Sequence, residues 1–156
     1  MRDTELLQQL TEDVGTAQKL LELMDAEYLA LAERNLAGLE TLLTQKQALL
    51  AILGQHGTLR SQTLAKSQLS IDKNGLAAFA AASTVGAGIL EQAELLDKAL
   101  EACRIANERN GQQIRNNQSA VNSMLTVLQG NNQTPDLYDR RGSAAKSSYN
   151  RPLSQA

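Results

Sequence analysis

The chain has few aromatic residues and few prolines. Its 156 residues contain no Trp and one Phe, and aromatic residues make up 3% of the sequence. Thick mixed cores usually take aromatic bulk, whereas Leu, Ala and Val fill the narrow cores between helices. Pro135 and Pro152 are the only prolines, so none interrupts the first 130 residues. These scarcities predict an all-α protein.

Residues that carry chemistry are also scarce. Cys103 is the single cysteine and His56 the single histidine, so neither an internal disulfide nor a Cys/His metal cluster can form. The sequence has no nucleophile elbow, phosphate-binding loop or dinucleotide-binding turn. We therefore predict no enzyme activity, no cofactor and no metal, with Cys103 as a buried structural thiol.

The distribution of charge and hydropathy limits the partners. The formal net charge is −2, and residues 1–50 carry nine acids against four bases, which disfavours nucleic acid as a partner. No apolar run approaches the roughly 20 residues that span a bilayer, so direct membrane insertion is not expected. Asp3 and Glu5 stand where a signal peptide would need a basic start and an apolar core. A cytoplasmic protein is predicted.

The chain does contain two long heptad seams. Apolar residues that alternate three and four positions apart line one side of a helix and wind against a partner helix. The first seam comprises Leu7, Leu10, Val14, Ala17, Leu21, Met24, Tyr28 and Leu31. The second comprises Ala93, Leu96, Leu100, Cys103, Asn107, Asn110, Ile114, Asn117, Val121, Met124 and Leu128.

Asparagine occupies three positions of the second seam, Asn107, Asn110 and Asn117. A seam asparagine can fix the register by demanding a hydrogen-bonding partner, or it can mark a seam that turns toward solvent. In a third interpretation the partner helix is missing there, and a partly open apolar strip offers a docking groove to a foreign helix. The residues predicted for this groove are Asn110, Ile114, Asn117, Val121, Met124, Leu125 and Leu128.

Helix start and stop signals along the chain predict three helices, at about 4–54, 58–70 and 75–129. The first is expected to be continuous or mildly bent near 34–38, with a short break there as the alternative, and to stop at Gly54 and Gly57. Near residues 83–88 either a break or a close approach of two helix backbones remains open. The predicted architecture is an elongated antiparallel helical hairpin, or three-helix coiled-coil bundle, formed by residues 1–130.

Residues 131–156 are rich in Asn, Gln, Ser, Gly and Arg, which predicts a flexible polar tail. Leu137 and Tyr138 form an isolated apolar pair within it. Such a pair can serve as a docking peptide, because Tyr brings a large contact area at low rotamer cost. A tail tyrosine without a partner is the alternative.

Three blocks of this sequence resemble the FlgN family of flagellar export chaperones. They are Asp25–Glu27 with the helix 39–50, the Asn-rich stretch from Asn107 to Leu128, and the phrase from Leu137 to Gly142. The resemblance implies a cytoplasmic chaperone of type III flagellar export. Its partners would be the C-terminal amphipathic segments of hook-associated proteins, which it keeps from assembling early, and the cytoplasmic domain of the export gate.

The resemblance also implies where each partner binds. The closing helix and the tail would embrace the substrate helix, and Leu137, Tyr138 and Gly142 would dock the complex on the export gate. The alternative from the residues alone is a structural coiled-coil spacer or adaptor that associates with itself, in which the seams are satisfied between chains and the tail is dispensable.

Overall fold

A computed structural model describes residues 2–128 of the chain and shows four α-helices in that range. They are α1 (Arg2–Glu33), α2 (Leu36–Lys66), α3 (Lys73–Ala81) and α4 (Gly86–Leu128). No strand occurs between residues 2 and 128. The predicted all-α helical bundle is confirmed.

The buried face of α1 keeps the predicted seven-residue period, with one difference. Leu10, Ala17, Met24 and Leu31 are buried as the seam requires. The other row of the predicted seam is less buried, since Leu7, Leu21 and Tyr28 are only half-buried. On that side the buried face is shifted by one residue toward the N-terminus. Buried in their neighbourhood are Leu6, Asp13, Leu20 and Glu27. Two of these four residues are acids, which disguised the register in the sequence.

The apolar core lies mainly between α1 and α4. One cluster joins Leu6, Leu10, Val14 and Ala17 of α1 to Ala80 of α3 and to Ile89 and Leu96 of α4. A second cluster joins Leu20 and Met24 to Cys103 and Ala106. Residue numbers rise together along the two helices, so α1 and α4 run parallel. An antiparallel pairing of the first and last helices, as the sequence suggested, is wrong.

The antiparallel hairpin is formed by α1 and α2. Arg60 bonds to Asp13 near the start of α1, and Lys46 bonds to Glu27 near its end, so residue numbers fall along α2 as they rise along α1. Leu49 and Leu53 of α2 pack against the second core cluster. The turn of this hairpin therefore lies inside the segment 4–54 that was predicted to be one helix.

The favoured continuous helix over 4–54 is wrong, and the alternative of a short break near 34–38 is correct, because the chain turns at Arg34. Arg34 has a φ of 57°, and the N–H of Asn35 donates to the carbonyl of Ala30 at 2.9 Å, which closes the end of α1. Asn35 then caps α2, because its Oδ1 accepts from the N–H of Gly38 at 3.0 Å.

The helix predicted over 58–70 is the second half of α2. Gly54 and Gly57 do not stop α2, which continues to Lys66. The chain turns instead at Gln68, whose φ is 60°. Leu69 donates its N–H to the carbonyl of Leu64 at 2.9 Å there, the same closing bond as at the end of α1.

The helix predicted over 75–129 is divided into α3 and α4 by a turn at residues 82–85. In this turn the Ser83 Oγ accepts from the N–H of Val85 at 3.1 Å. Gly86 follows, where a Cβ would overlap the carbonyl oxygen of Ala80, so only glycine fits. A break was one of the two open interpretations of this segment, and the structure shows it.

Contacts divide the chain into two units, Met1–Gln113 and Ile114–Ala156. Within the described residues, every buried side chain belongs to the first unit. The structure describes the second unit over 114–128, the end of α4. The division into a body of 1–130 and a tail of 131–156 stays a prediction, because residues 129–156 lie outside the described range.

Candidate partner-binding surface

Asn110 belongs to the core rather than to an exposed groove. Its side chain is 2% exposed, and its Nδ2 donates to the carbonyl of Met24 and to Oε1 of Glu27, each at 2.8 Å. A buried amide with two fixed acceptors is satisfied only in one register of α4 against α1. Its placement in the predicted groove is therefore corrected, and the register-fixing interpretation fits it.

Arg109 reinforces this register from the edge of the core. Its guanidinium donates to Asp25 Oδ1 at 3.1 Å and to the carbonyl of Met24 at 3.3 Å. It also lies 4.3 Å from the centre of the Tyr28 ring, a cation–π distance. Together with Asn110 it fastens the end of α1 to α4.

Glu27 connects three helices. Lys46 Nζ of α2 lies 3.1 Å and 3.3 Å from its two carboxylate oxygens, and Asn110 of α4 donates to one of them. Asp13, two heptads earlier, is fully buried and is held by Arg60 and by His56, whose Nδ1 lies 2.6 Å away. The sequence did not lead us to predict that either acid is buried, although their spacing of two heptads places both on the same side of α1.

The end of α4 presents an exposed apolar surface. Among the residues predicted for the groove, Asn117 is half-buried and the apolar ones are exposed: Ile114, Val121, Met124, Leu125 and Leu128. The exposed fraction of these apolar side chains ranges from 40% at Ile114 to 76% at Leu128. Val127, which was not predicted, is also exposed.

Helical spacing places the predicted residues on one side of α4. Ile114, Val121 and Leu128 are seven residues apart, as are Asn117 and Met124, and the two rows are neighbours in a heptad. We call these residues, with Leu125, the α4 strip. An amphipathic partner helix is the natural ligand of such a strip. Leu137, Tyr138 and Gly142, the predicted gate-docking residues, lie outside the described residues.

The four described helices carry neither a metal-binding cluster nor a membrane-spanning segment. Between residues 2 and 128 no three His, Cys, Asp or Glu side chains lie close enough together to hold a metal ion. None of the four helices combines the length and apolar character needed to cross a membrane. Burial raises the pKa of the Cys103 thiol, and the nearby charge of Asp25 raises it further. Its Sγ donates to the carbonyl of Ala17 at 3.4 Å, as suits a structural cysteine.

The family model described as FlgN protein matches residues 1–146 of the chain. The chain belongs to the FlgN family. A crystal structure of a protein from Pseudomonas aeruginosa, described as a flagella synthesis protein FlgN, is similar to this FlgN-family chain at 39% identity. The match has a TM-score of 0.68 and covers 80% of this chain and 95% of the other. No curated protein matches the chain.

Proposed function

We propose that this chain is a cytoplasmic chaperone of type III flagellar export. It binds the C-terminal amphipathic helices of hook-associated proteins, prevents their premature assembly and delivers them to the export gate. Membership of the FlgN family supports a role connected with the flagellum. The observation that carries the chaperone function is the α4 strip, an exposed apolar row at helical spacing.

The α4 strip suits a temporary helical guest. Its apolar side chains keep the heptad spacing of a helix-packing seam but remain 40–76% exposed. Covering them with an apolar helix face would remove that surface from water, which is favourable by about 25 cal/mol per Å². Ordering a disordered guest offsets part of this gain, so a releasable complex is expected.

The strip is tested with two matched double variants. Val121→Asp with Leu128→Asp charges the strip, whereas Ser119→Asp with Asn122→Asp adds the same charge at other exposed positions of the same helix. The readout is binding of a C-terminal segment of a hook-associated protein, measured by titration calorimetry. We expect the strip variant to lose at least about tenfold in affinity and the control less than about twofold. Equal affinities would refute the role of the strip.

The tail is proposed to dock on the export gate through Leu137, Tyr138 and Gly142. Tyr138→Ala should weaken docking on the gate's cytoplasmic domain while leaving capture of the hook-associated segment unchanged. Removing residues 131–156 should abolish docking with the helical body still folded. A pull-down with the isolated gate domain measures both, and unchanged docking would exclude the tail from the mechanism.

A self-associating spacer or adaptor remains the second candidate, and one observation favours it. Leu36, Leu43 and Leu50 lie seven residues apart on α2 and are 74%, 47% and 46% exposed, a row that a second copy could cover. Sedimentation equilibrium separates the two functions. A tight dimer that Leu43→Asp dissociates, together with no binding of hook-associated segments, would favour the spacer.

A further inference from the structure

α2 is held to the bundle differently from α1 and α4. Leu64 is its only buried residue, although the helix extends from Leu36 to Lys66. Its ion pairs reach two buried acids of α1: Arg60 and His56 bond to Asp13, and Lys46 bonds to Glu27. α1 and α4, in contrast, share the two apolar clusters.

The polar part of this interface costs little to open. Burying charges removes their hydration, and the attraction between the partners roughly restores what was lost. When the helices separate, Asp13 and Glu27 regain favourable hydration free energy. The side chains of an apolar interface regain no such hydration when they separate. The ion pairs therefore fix the position of α2 but add little to the free energy that is needed to detach it.

Both ends of α2 are turns of the same kind. Arg34 precedes the helix and Gln68 follows it, with φ values of 57° and 60°. Side chains with a Cβ disfavour this left-handed conformation, which glycine usually supplies at such helix ends. Detachment of α2 would release both turns.

The interior of α2 is also a weak helix. Gly54 lies in mid-helix, and a Cβ there would meet nothing within 4 Å, so packing does not require a glycine. Glycine lowers helix stability relative to alanine. A helix that leaves its partner loses the packing that supplies most of its stability, and a glycine in its middle favours loss of the helical hydrogen bonds.

We propose that α2 is a strap that detaches and unfolds on its own while α1 and α4 stay packed together. This inference does not depend on the proposed chaperone function. Opening would uncover the side of the second core cluster against which Leu49 and Leu53 pack. The bundle would then have two states, strapped and open, that differ in the apolar surface they expose.

The test is native-state hydrogen exchange of the full chain, followed by mass spectrometry, with two matched glycine variants. Gly54→Ala stabilises α2, and Gly15→Ala stabilises α1. Both glycines are exposed in mid-helix with nothing within 4 Å of an added Cβ. Each substitution should slow exchange through any opening that unfolds its own helix by roughly fivefold.

The expected result is asymmetric. Gly54→Ala slows exchange in α2 and in the core of α1, because both α2 opening and global unfolding break α2. Gly15→Ala slows the core of α1 but leaves α2 amides unchanged, because α1 stays folded when the strap opens. If Gly15→Ala slows α2 amides as much as α1 amides, α2 opens only with the whole bundle and the proposal is overturned. Exchange of α2 and the α1 core at one rate in the unsubstituted chain would overturn it as well.

Discussion

Asp13 and Glu27 are charged residues at positions where a helix seam is normally apolar. The two acids are fourteen residues apart on α1, and their partners Lys46 and Arg60 are fourteen residues apart on α2. Because the spacings match and the helices are antiparallel, both pairs form in the same register. A slip by one heptad would bury both acids without their cations, which is strongly unfavourable. The acids thus select one alignment of the hairpin.

Asn110 has the corresponding role between α1 and α4. We predict that Asn110→Ala lowers the free energy of unfolding by about 1–3 kcal/mol, because the buried carbonyl of Met24 and the carboxylate of Glu27 each lose a donor. Asn107→Ala, at an exposed position one turn earlier, should change it by less than about 0.5 kcal/mol. Urea denaturation measures both, and equal losses would contradict the register role.

A second residue-scale prediction concerns Asp3. A hydrogen bond from the Ser83 hydroxyl, at 2.7 Å, is the main reason that the pKa of Asp3 is lowered to about 2 from 3.8. Ser83→Ala should therefore raise the pKa of Asp3 toward 3.8, as measured by carboxyl titration in NMR. Since the folded pKa is the lower one, the stabilisation is present above about pH 3.8 and is lost as the pH falls through about 2. A pKa that stays near 2 would show that other groups depress it.

At the scale of the helix, α1 and α2 both end without glycine. Arg34 occupies the left-handed position after α1 that glycine usually fills. We predict that Arg34→Gly raises the free energy of unfolding by up to about 1 kcal/mol, because it relieves the strained conformation. Thermal unfolding followed by circular dichroism measures the gain. A loss of stability would mean that the Arg34 side chain contributes more than its backbone costs.

These ends also explain which helix boundaries the sequence could supply. Periodicity located the α1 seam to within one residue, and Asp72 caps α3 by accepting from the N–H of Gly75. The break at Arg34 was only the alternative to a continuous helix because its left-handed residue is not glycine. Gly54 and Gly57 were mistaken for a stop because propensity is weak evidence, and the contacts of α2 with α1 override it. The cap at Asn35 was the overlooked signal.

At the scale of the whole molecule, stability and the candidate binding surface are in different stretches of chain. The buried apolar side chains lie between Leu6 and Ala106, whereas the α4 strip begins at Ile114. We predict that Leu20→Ala, at a fully buried position, lowers the free energy of unfolding by about 2–5 kcal/mol. Leu128→Ala, at a 76% exposed position, should change it by less than about 0.5 kcal/mol yet weaken binding of hook-associated segments. Denaturation and calorimetry of both variants test the separation.

The same separation shows what the sequence could say about the site. The heptad placed most apolar residues of the α4 strip on one face of the helix, but it left open whether a partner helix covers that face. Asn110 was misplaced because one residue type served two environments, core and surface. The sequence could not predict which helix packs against each apolar face, since periodicity identifies a face without identifying its neighbour. That is why the parallel arrangement of α1 and α4 came only from the structure.

The parallel pairing of α1 with α4 has a consequence for biosynthesis. The ribosome releases α1 first, but the helix that completes its apolar clusters ends the described chain, and the carbonyl of Met24 meets its donor only when Asn110 has been translated. At bacterial elongation rates of about 5–20 residues per second, this delay lasts several seconds. During that interval α1 can pair with α2, through charged contacts that tolerate water, but not with α4. The apolar clusters are therefore complete only after α4 has emerged from the ribosome.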